Sequence, residues 1–457
     1  MWFSHGAAMA FERVSKAASI PTLFAAVLFY LATTVQATAT GLLRDADIEH
    51  ALVQLSAPIL RAAGLPQSTR VLLVDDPSFN AFVIDNKTIF FNYGLISKIG
   101  HAGVVQAVIA HEAAHIANGH ITRRMANLKS ARTAAGLGLA LAAIAAAAGA
   151  GEAAAGIAVG TQTSALRSFL AHTRAEEASA DRSAAAYMSR ADVSPRFLVD
   201  LHETFRGQEL LSPSRQDPYM RSHPLTQDRL RAARAYVAAH GDNAPENLDA
   251  DYWFARARGK ITAYTRAPKW TRQRMREESH ADIRFMREAI SYHRERDLPK
   301  SLTAINQALA LRPTDAYYMD LKGQILMENR RWTDALAVYK TAVDLAPKDA
   351  LILGGYGRAL LASGQPKAAI DVMEKARQRD FRDVRLLRDM SLAYAKTNQN
   401  GMAAVVTAER YALQGRLKDA GLHARRAVAQ LPRGSAAWRR AEDILIAAER
   451  FEKGKKR

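Results

Sequence analysis

Cysteine is absent from all 457 residues. Disulfide bonds and thiol nucleophiles are therefore excluded, and cysteine-protease chemistry with them. The N-terminal apolar stretch Ile20–Val35 falls short of the roughly 20 residues that cross a bilayer. It follows Arg13 and Lys16 and runs into Ala37-Thr38-Ala39, so residues 1–39 read as a secretory signal peptide cleaved after Ala39; the alternative is an uncleaved anchor. Acidic residues are scarce beside basic ones, 45 against 63, for a net charge of +18. No nucleic-acid-binding module accompanies that charge, so no nucleic-acid partner is expected. Attraction to an anionic lipid or outer-membrane surface fits better.

What is present begins with His111-Glu112-Ala113-Ala114-His115, an H-E-x-x-H motif. On a helix, residues four apart stand one turn above each other, so both imidazoles can reach one zinc ion at about 2.0–2.1 Å. Glu112 then lies beside the ion, where it can take a proton from the attacking water. The flanks, Val104–Ala110 and Ile116-Ala117, hold no glycine or proline and favour the helix.

The third ligand separates the zinc-peptidase classes. A metzincin needs glycine at 118 and histidine at 121, where this chain has Asn118 and Ile121, with His120 off by one. A gluzincin takes a glutamate from a second helix, followed four residues later by an aspartate. Arg174–Asp181 offers Glu177 with Asp181 one turn on, and Asp181 would accept from the outer nitrogen of a ligand histidine. Glu176 competes for the role but lacks an aspartate at that spacing.

These residues resemble the HtpX and CAAX-prenyl-protease family of zinc metallopeptidases. Leu43-Arg44-Asp45-Ala46-Asp47-Ile48-Glu49, Asn80-Ala81-Phe82, Thr88-Ile89-Phe90-Phe91, HEAAH with Gly119-His120, Glu177 with Ala180-Asp181, and Ser222-His223-Pro224 with Arg229 follow in family order over about 42–235. Asp85-Asn86-Lys87 departs from the glycine-rich turn of many relatives. The resemblance implies one zinc ion per chain, held by His111, His115 and Glu177, with Asp181 behind them and Glu112 as the catalytic base. It also brings His223 close to the metal, either as a fourth ligand at rest or as a donor to the developing oxyanion. Arg229 has no clear reading, since Arg229, Arg231 and Arg234 could all be solvated helix charges. With its C-terminal repeats, the chain is most similar to the family's periplasmic BepA-like subgroup.

Residues 45–65 predict a helix, and Val71–Val74 and Thr88–Phe91 short strands. Thr133–Gly160 is almost entirely Ala, Gly, Leu and Ile, with Glu152 its one charge and Gly149-Ala150-Gly151 near its middle. It reads as a helical hairpin, packed over the protease core or touching membrane or substrate. Beyond about 282, Ala308, Ala342 and Ala376 recur at a period of about 34, as do Pro313 and Pro347, Gly323 and Gly357, and Ala335, Ala369 and Ala403. That period is the tetratricopeptide signature. A further unit with Tyr411, Gly415, Ala420, Ala427 and Pro432 is out of register.

The expected architecture is mainly α: a gluzincin-type α+β metalloprotease domain at 40–240, a linker with a packing helix at 241–281, tetratricopeptide repeats at 282–434 forming an α-solenoid, and a basic C-terminal helix or tail at 435–457. The expected activity is zinc-dependent endoproteolysis of misfolded or stalled cell-envelope proteins in the periplasm, with the repeats contacting envelope partners. The alternative is a chaperone or adaptor for envelope assembly whose protease site is mostly closed.

Overall fold

The computed structural model describes residues 41–124, 173–212, 215–242 and 244–455. The expected signal peptide and the Ala/Gly hairpin of 133–160 lie outside them. The described residues belong to one compact unit.

Strand β1 (Leu42–Leu43) leads into helix α1 (Ala46–Ala62), which Asp45 caps by accepting from the Ile48 amide. Strands β2 (Arg70–Val74), β3 (Ala81–Val83) and β4 (Thr88–Asn92) complete a mixed sheet of order β1-β2-β4-β3. β2 and β4 run parallel, with Val71 opposite Ile89, while β1 and β3 pair antiparallel to their neighbours. The turn between β3 and β4 forms without glycine, because Asp85 Oδ1 accepts from the amides of Lys87 and Thr88 at 2.8 and 2.7 Å. Ile89, Phe90 and Phe91 are fully buried, a continuous apolar run suited to a strand covered on both faces. Burying each phenylalanine contributes about 1.5–3 kcal/mol.

Helices α2 (Tyr93–Lys98) and α3 (Ala102–Ala117) follow. After them come α4 (Arg174–Arg190), α5 (Arg196–Thr204), α6 (Pro218–Ser222) and α7 (Gln227–His240). α1 packs on β2, and α3 packs on β3, β4 and α4.

The segment expected as a linker with a packing helix holds two helices, α8 (Leu248–Thr265) and α9 (Pro268–Arg274). α8 joins two cores. Its Ala250, Phe254 and Ile261 pack with the sheet and α3, whereas Tyr252 and Ala263 pack with Ile283, Met286 and Ile290 of the repeats. Arg256 and Lys260, on this same helix, have no exposed surface. Arg256 lies 2.7 Å from Asp47 of α1 and 2.6 Å from Asp315 of the repeats, and Lys260 lies 2.8 Å from Asp45. Two buried cations on a helix are tolerable only because carboxylates from both sides meet them.

The repeats are helix pairs: α10 (Ala281–Arg294) with α11 (Leu298–Leu311), α12 (Ala316–Glu328) with α13 (Trp332–Leu345), and α14 (Ala350–Ala362) with α15 (Pro366–Arg379). Then come α16 (Val384–Lys396) with α17 (Asn400–Leu413), and α18 (Leu417–Gln430) with α19 (Ala436–Lys455). The recurring small residues sit where helices touch: Ala308, Ala342 and Ala376 are fully buried, and a Cβ on Gly323 would lie 2.6 Å from the Tyr339 ring. The out-of-register unit spans the end of α17, with Tyr411, and α18, whose Ala420 and Ala424 pack against Ile444 of α19. The expected basic tail is thus a helix covering the last repeat. The sheet-containing domain and the repeats also meet at a buried ion-pair cluster: Arg44 and Arg70 both contact Asp380, at 2.6 and 2.5 Å, and both contact Glu49. Among the described residues, no helix is long and apolar enough to cross a membrane.

Candidate metal centre

α3 is buried from Ala102 to Ile116, as a helix inside a core must be if it is apolar on nearly every side. It ends at Asn118, and Gly119 turns the chain at φ 69°, a left-handed conformation that glycine adopts without penalty. Asn118 Nδ2 donates to Ser179 and Ser183 of α4 at 3.2 Å, which fixes the two helices against each other. α4 begins with a capping box: Thr173 accepts from the Glu176 amide, and the Glu176 carboxylate accepts from the Thr173 amide. Glu176 therefore faces the helix start and Arg124, 2.8 Å away. Glu177, one residue on, points the opposite way into the core with no exposed surface.

His111, His115, Glu177 and His223 converge there, each offering an atom within 4.8 Å of the others. His111 Nε2 lies 3.1 Å from His115 Nε2, 3.2 Å from His223 Nδ1 and 3.3 Å from Glu177 Oε2. Glu177 Oε1 lies 3.3 Å from His115 Nε2 and 3.1 Å from His223 Nδ1. Tetrahedral ligation at about 2.0–2.1 Å places neighbouring ligand atoms about 3.3–3.4 Å apart. The four side chains therefore fit one small divalent cation, with an imidazole and carboxylate donor set suited to zinc. Glu112, also fully buried, places Oε1 3.3 Å from His223 Nε2, and neither of its oxygens accepts a regular hydrogen bond.

Comparison with known proteins agrees with this geometry. The model of peptidase family M48 matches residues 42–237, and tetratricopeptide repeat models match 286–350 and 321–383. Residues 42–237 are an M48 domain. The protein is a metalloprotease with tetratricopeptide repeats, mainly α, and among the described residues its small sheet lies in the M48 domain. It is 24% identical over 359 residues to the beta-barrel assembly-enhancing protease of Escherichia coli (strain K12), covering 76% of this chain and 72% of that one. The protein of the same name from Yersinia pestis is 22% identical over 311 residues, covering 66% and 63%. Among solved structures, MamA 41-end from Desulfovibrio magneticus RS-1 is 20% identical with a TM-score of 0.31, covering 35% of this chain and 93% of that one.

A second layer of side chains holds the cage of the M48 domain. Asp181 Oδ1 lies 2.9 Å from His111 Nδ1, so His111 keeps Nε2 for the interior. His115 Nδ1 and His120 Nδ1 lie 2.8 Å apart, and His115 likewise turns Nε2 inward. Arg229, on α7, donates through Nε and Nη2 to Asp181 at 2.6 and 2.8 Å, and its Nη1 lies 2.8 Å from Glu177. Arg231 and Arg234 face solvent instead, near Asp228 and Glu203. His202 adds a contact to Asp181 at 3.4 Å. The motif order offered a pointer to Arg229 but no means of separating it from its neighbours. For His202 no periodicity or spacing relates it to Asp181.

Charge follows this layout. Burial raises carboxyl pKa values, yet the imidazoles and Arg229 outweigh it at Glu177, and Arg229 with His202 outweigh it at Asp181; both are held well below the usual carboxylate range. Burial also opposes protonation of His111, but Glu177 and Asp181 push it up to about 10. Burial drives His115 well below the usual imidazole range, and burial raises Glu112, against the pull of His223. Glu177 thus stays ionised, as a metal-ligating carboxylate must, while Arg229 and the imidazoles balance the charge of the two carboxylates.

Proposed function

We propose that the protein is a zinc-dependent endopeptidase of the bacterial cell envelope that hydrolyses misfolded or stalled envelope proteins. The buried cage of His111, His115 and Glu177, with Glu112 beside it, is the observation that carries this reading. When bound, zinc would supply Lewis-acid polarisation of the scissile carbonyl and activation of water. Glu112 takes the proton of the attacking water on a carboxylate oxygen and returns it to the leaving amine; its lack of regular hydrogen bonds leaves both oxygens available for this. Asp181 orients His111, and Arg229 fixes Asp181 and Glu177 together. His223 stands at the fourth corner of the cage, so its imidazole restrains the site at rest and moves aside for substrate. The α6–α7 connection that carries it lies outside the ligand helices and is tied to them through Arg229, whose Nη1 donates to the Pro224 carbonyl at 2.9 Å, so its movement loosens that contact.

The repeats present or select polypeptide substrates, as stacked helix pairs offer extended binding surfaces. A periplasmic location is supported by the signal-like residues 1–39 and fits relatives named for beta-barrel assembly; the net positive charge suits contact with anionic membrane surfaces. The test is metal content of the purified protein, with casein cleavage by wild type and Glu112→Gln. One zinc per chain in both, with cleavage lost in the variant by about 10²–10⁴-fold, is expected. Near wild-type turnover by Glu112→Gln overturns the mechanism.

A further inference from the structure

A cavity of about 440 Å³ opens where the M48 domain meets α8, α9 and α10, away from the metal centre, and its lining includes Ser97 and Gly100 of the M48 domain. That volume is in the range of pockets that enclose small organic ligands. Four arginines face it: Arg258 from α8, Arg266 beyond its end, Arg274 from α9 and Arg287 from α10. Arg287 is the unusual one. It is only 7% exposed, yet its Nε has no hydrogen-bond partner, and its nearest carboxylate, Glu278, stands 3.7 Å away. Buried polar groups are ordinarily satisfied, and buried charges are ordinarily paired closely.

The remaining carboxylates do not neutralise the cavity. Asp251, Glu277 and Glu278 line it, three against four guanidinium groups. Glu278 is also engaged by His280 at 3.2 Å, and Glu277 lies 3.8 Å from Arg274. Trp270 stands between Arg266 and Arg274, whose guanidinium carbons lie 5.7 and 5.2 Å from its ring centroid. The ring keeps both rim arginines near the mouth, because cations favour an aromatic face. Gly259 provides the floor: a Cβ there would come within 3.2 Å of the Arg287 side chain, so its absence lets Arg287 lie across α8. Burial, with Arg258 nearby, holds Arg287 below the usual guanidinium value, which marks a cation short of anionic partners.

We propose that this cavity binds a phosphate group, carried by a soluble phosphate or by a phospholipid headgroup. Guanidinium forks match phosphate oxygens in pairs, and Arg287 supplies a buried donor at the base while Arg266 and Arg274 close over the mouth. Occupancy would also brace the junction of the M48 domain and the repeats, since the lining comes from both sides of it.

The test uses the full chain and two probes, inorganic phosphate and phosphatidylglycerol vesicles, with chloride at matched ionic strength as control. Thermal unfolding reads the first, and vesicle co-sedimentation the second. Saturable binding of at least one probe is expected, weakened about tenfold or more in Arg287→Met, the scale of losing a charge-assisted hydrogen bond. The double variant Arg266→Gln/Arg274→Gln, confined to exposed side chains, is expected to weaken it as well and guards against misfolding of Arg287→Met. Each variant alters the +18 charge only slightly, so non-specific attraction to anions would persist in both. Phosphate binding identifies a soluble ligand, and vesicle binding alone identifies a headgroup. Absence of saturable binding to both probes, or equal binding by wild type and both variants, overturns the proposal.

Discussion

Replacing Arg229 with methionine keeps most of the side-chain volume and removes the guanidinium. In wild type that group is 6% exposed and touches two carboxylates, with contacts to Asp181 at 2.6 and 2.8 Å and to Glu177 at 2.8 Å. Its Nη1 also donates to the Pro224 carbonyl at 2.9 Å. Without it, two buried anions lose their nearest permanent cation. Removing one partner of a buried ion pair costs about 3–5 kcal/mol, and in a domain of this size each kcal/mol moves the melting temperature by about 2–4 °C. In chelator, Arg229→Met should therefore melt about 6–20 °C below wild type. Added zinc supplies positive charge to the same carboxylates, so the gap should narrow, although the loss of an outer partner weakens metal binding by about 10–100-fold. Arg231→Met is the control: its side chain is 69% exposed beside Asp228, and the change should stay within about 0.5 kcal/mol. Thermal unfolding of the three proteins, with chelator and with zinc, makes the comparison. Shifts below about 2 °C for Arg229→Met in chelator, or equal shifts for both variants, would refute the argument.

Glu177→Gln should lose most bound metal, whereas Glu176→Gln, which removes the charge paired with Arg124 and leaves an amide able to serve the capping box, should keep it at a cost of at most about 1 kcal/mol; metal analysis showing the reverse would exchange their roles. His223→Ala should retain metal and cleave a flexible substrate faster than wild type, because it clears the fourth corner of the cage. If His223 serves only as an oxyanion donor, turnover should instead fall by about 10²–10³-fold. Asp380 tests the junction of the M48 domain and the repeats. Burial opposes its ionisation, but Arg44 and Arg70 hold its pKa below the ordinary value, so the native state stays ionised where the unfolded chain takes up a proton. The stability this contributes is present above about pH 4 and is lost as the pH falls through and below that value. Urea midpoints between about pH 3 and 6 should show that loss in wild type and a flatter profile in Asp380→Asn.

The catalytic helix was legible because its information is local: HEAAH places two imidazoles on one face by helical spacing alone. The repeats were legible for a similar reason, since small residues at a fixed interval mark every helix contact. Glu177 was distinguished from Glu176 by the aspartate one turn on, and the capping box supplies the physical counterpart, since an N3 glutamate turns back to the helix start. The segment 241–281 was less legible. Its aromatics, arginines and acidic residues read as a linker with a packing helix, but nothing in them shows that α8 buries Arg256 and Lys260 between two cores. Charge patterning marks such residues as exposed unless their partners are known, and those partners lie more than fifty residues away in each case, as with Asp315.

By itself, then, the sequence determined the helices at 45–65 and around HEAAH and Glu177, the strands around Val71–Val74 and Thr88–Phe91, the class of chemistry, and the presence of a repeat array, because those depend on spacing within one turn, one strand or one repeat. Only the tertiary structure decided which of three arginines on α7 enters the site, that His202 stands behind Asp181, and that Arg44, Arg70 and Asp380 meet across the junction. Each of those outcomes depends on desolvation and on partners distant in the chain. Burial makes a charge too costly to keep without a counter-charge, and the fold alone brings that counter-charge within reach.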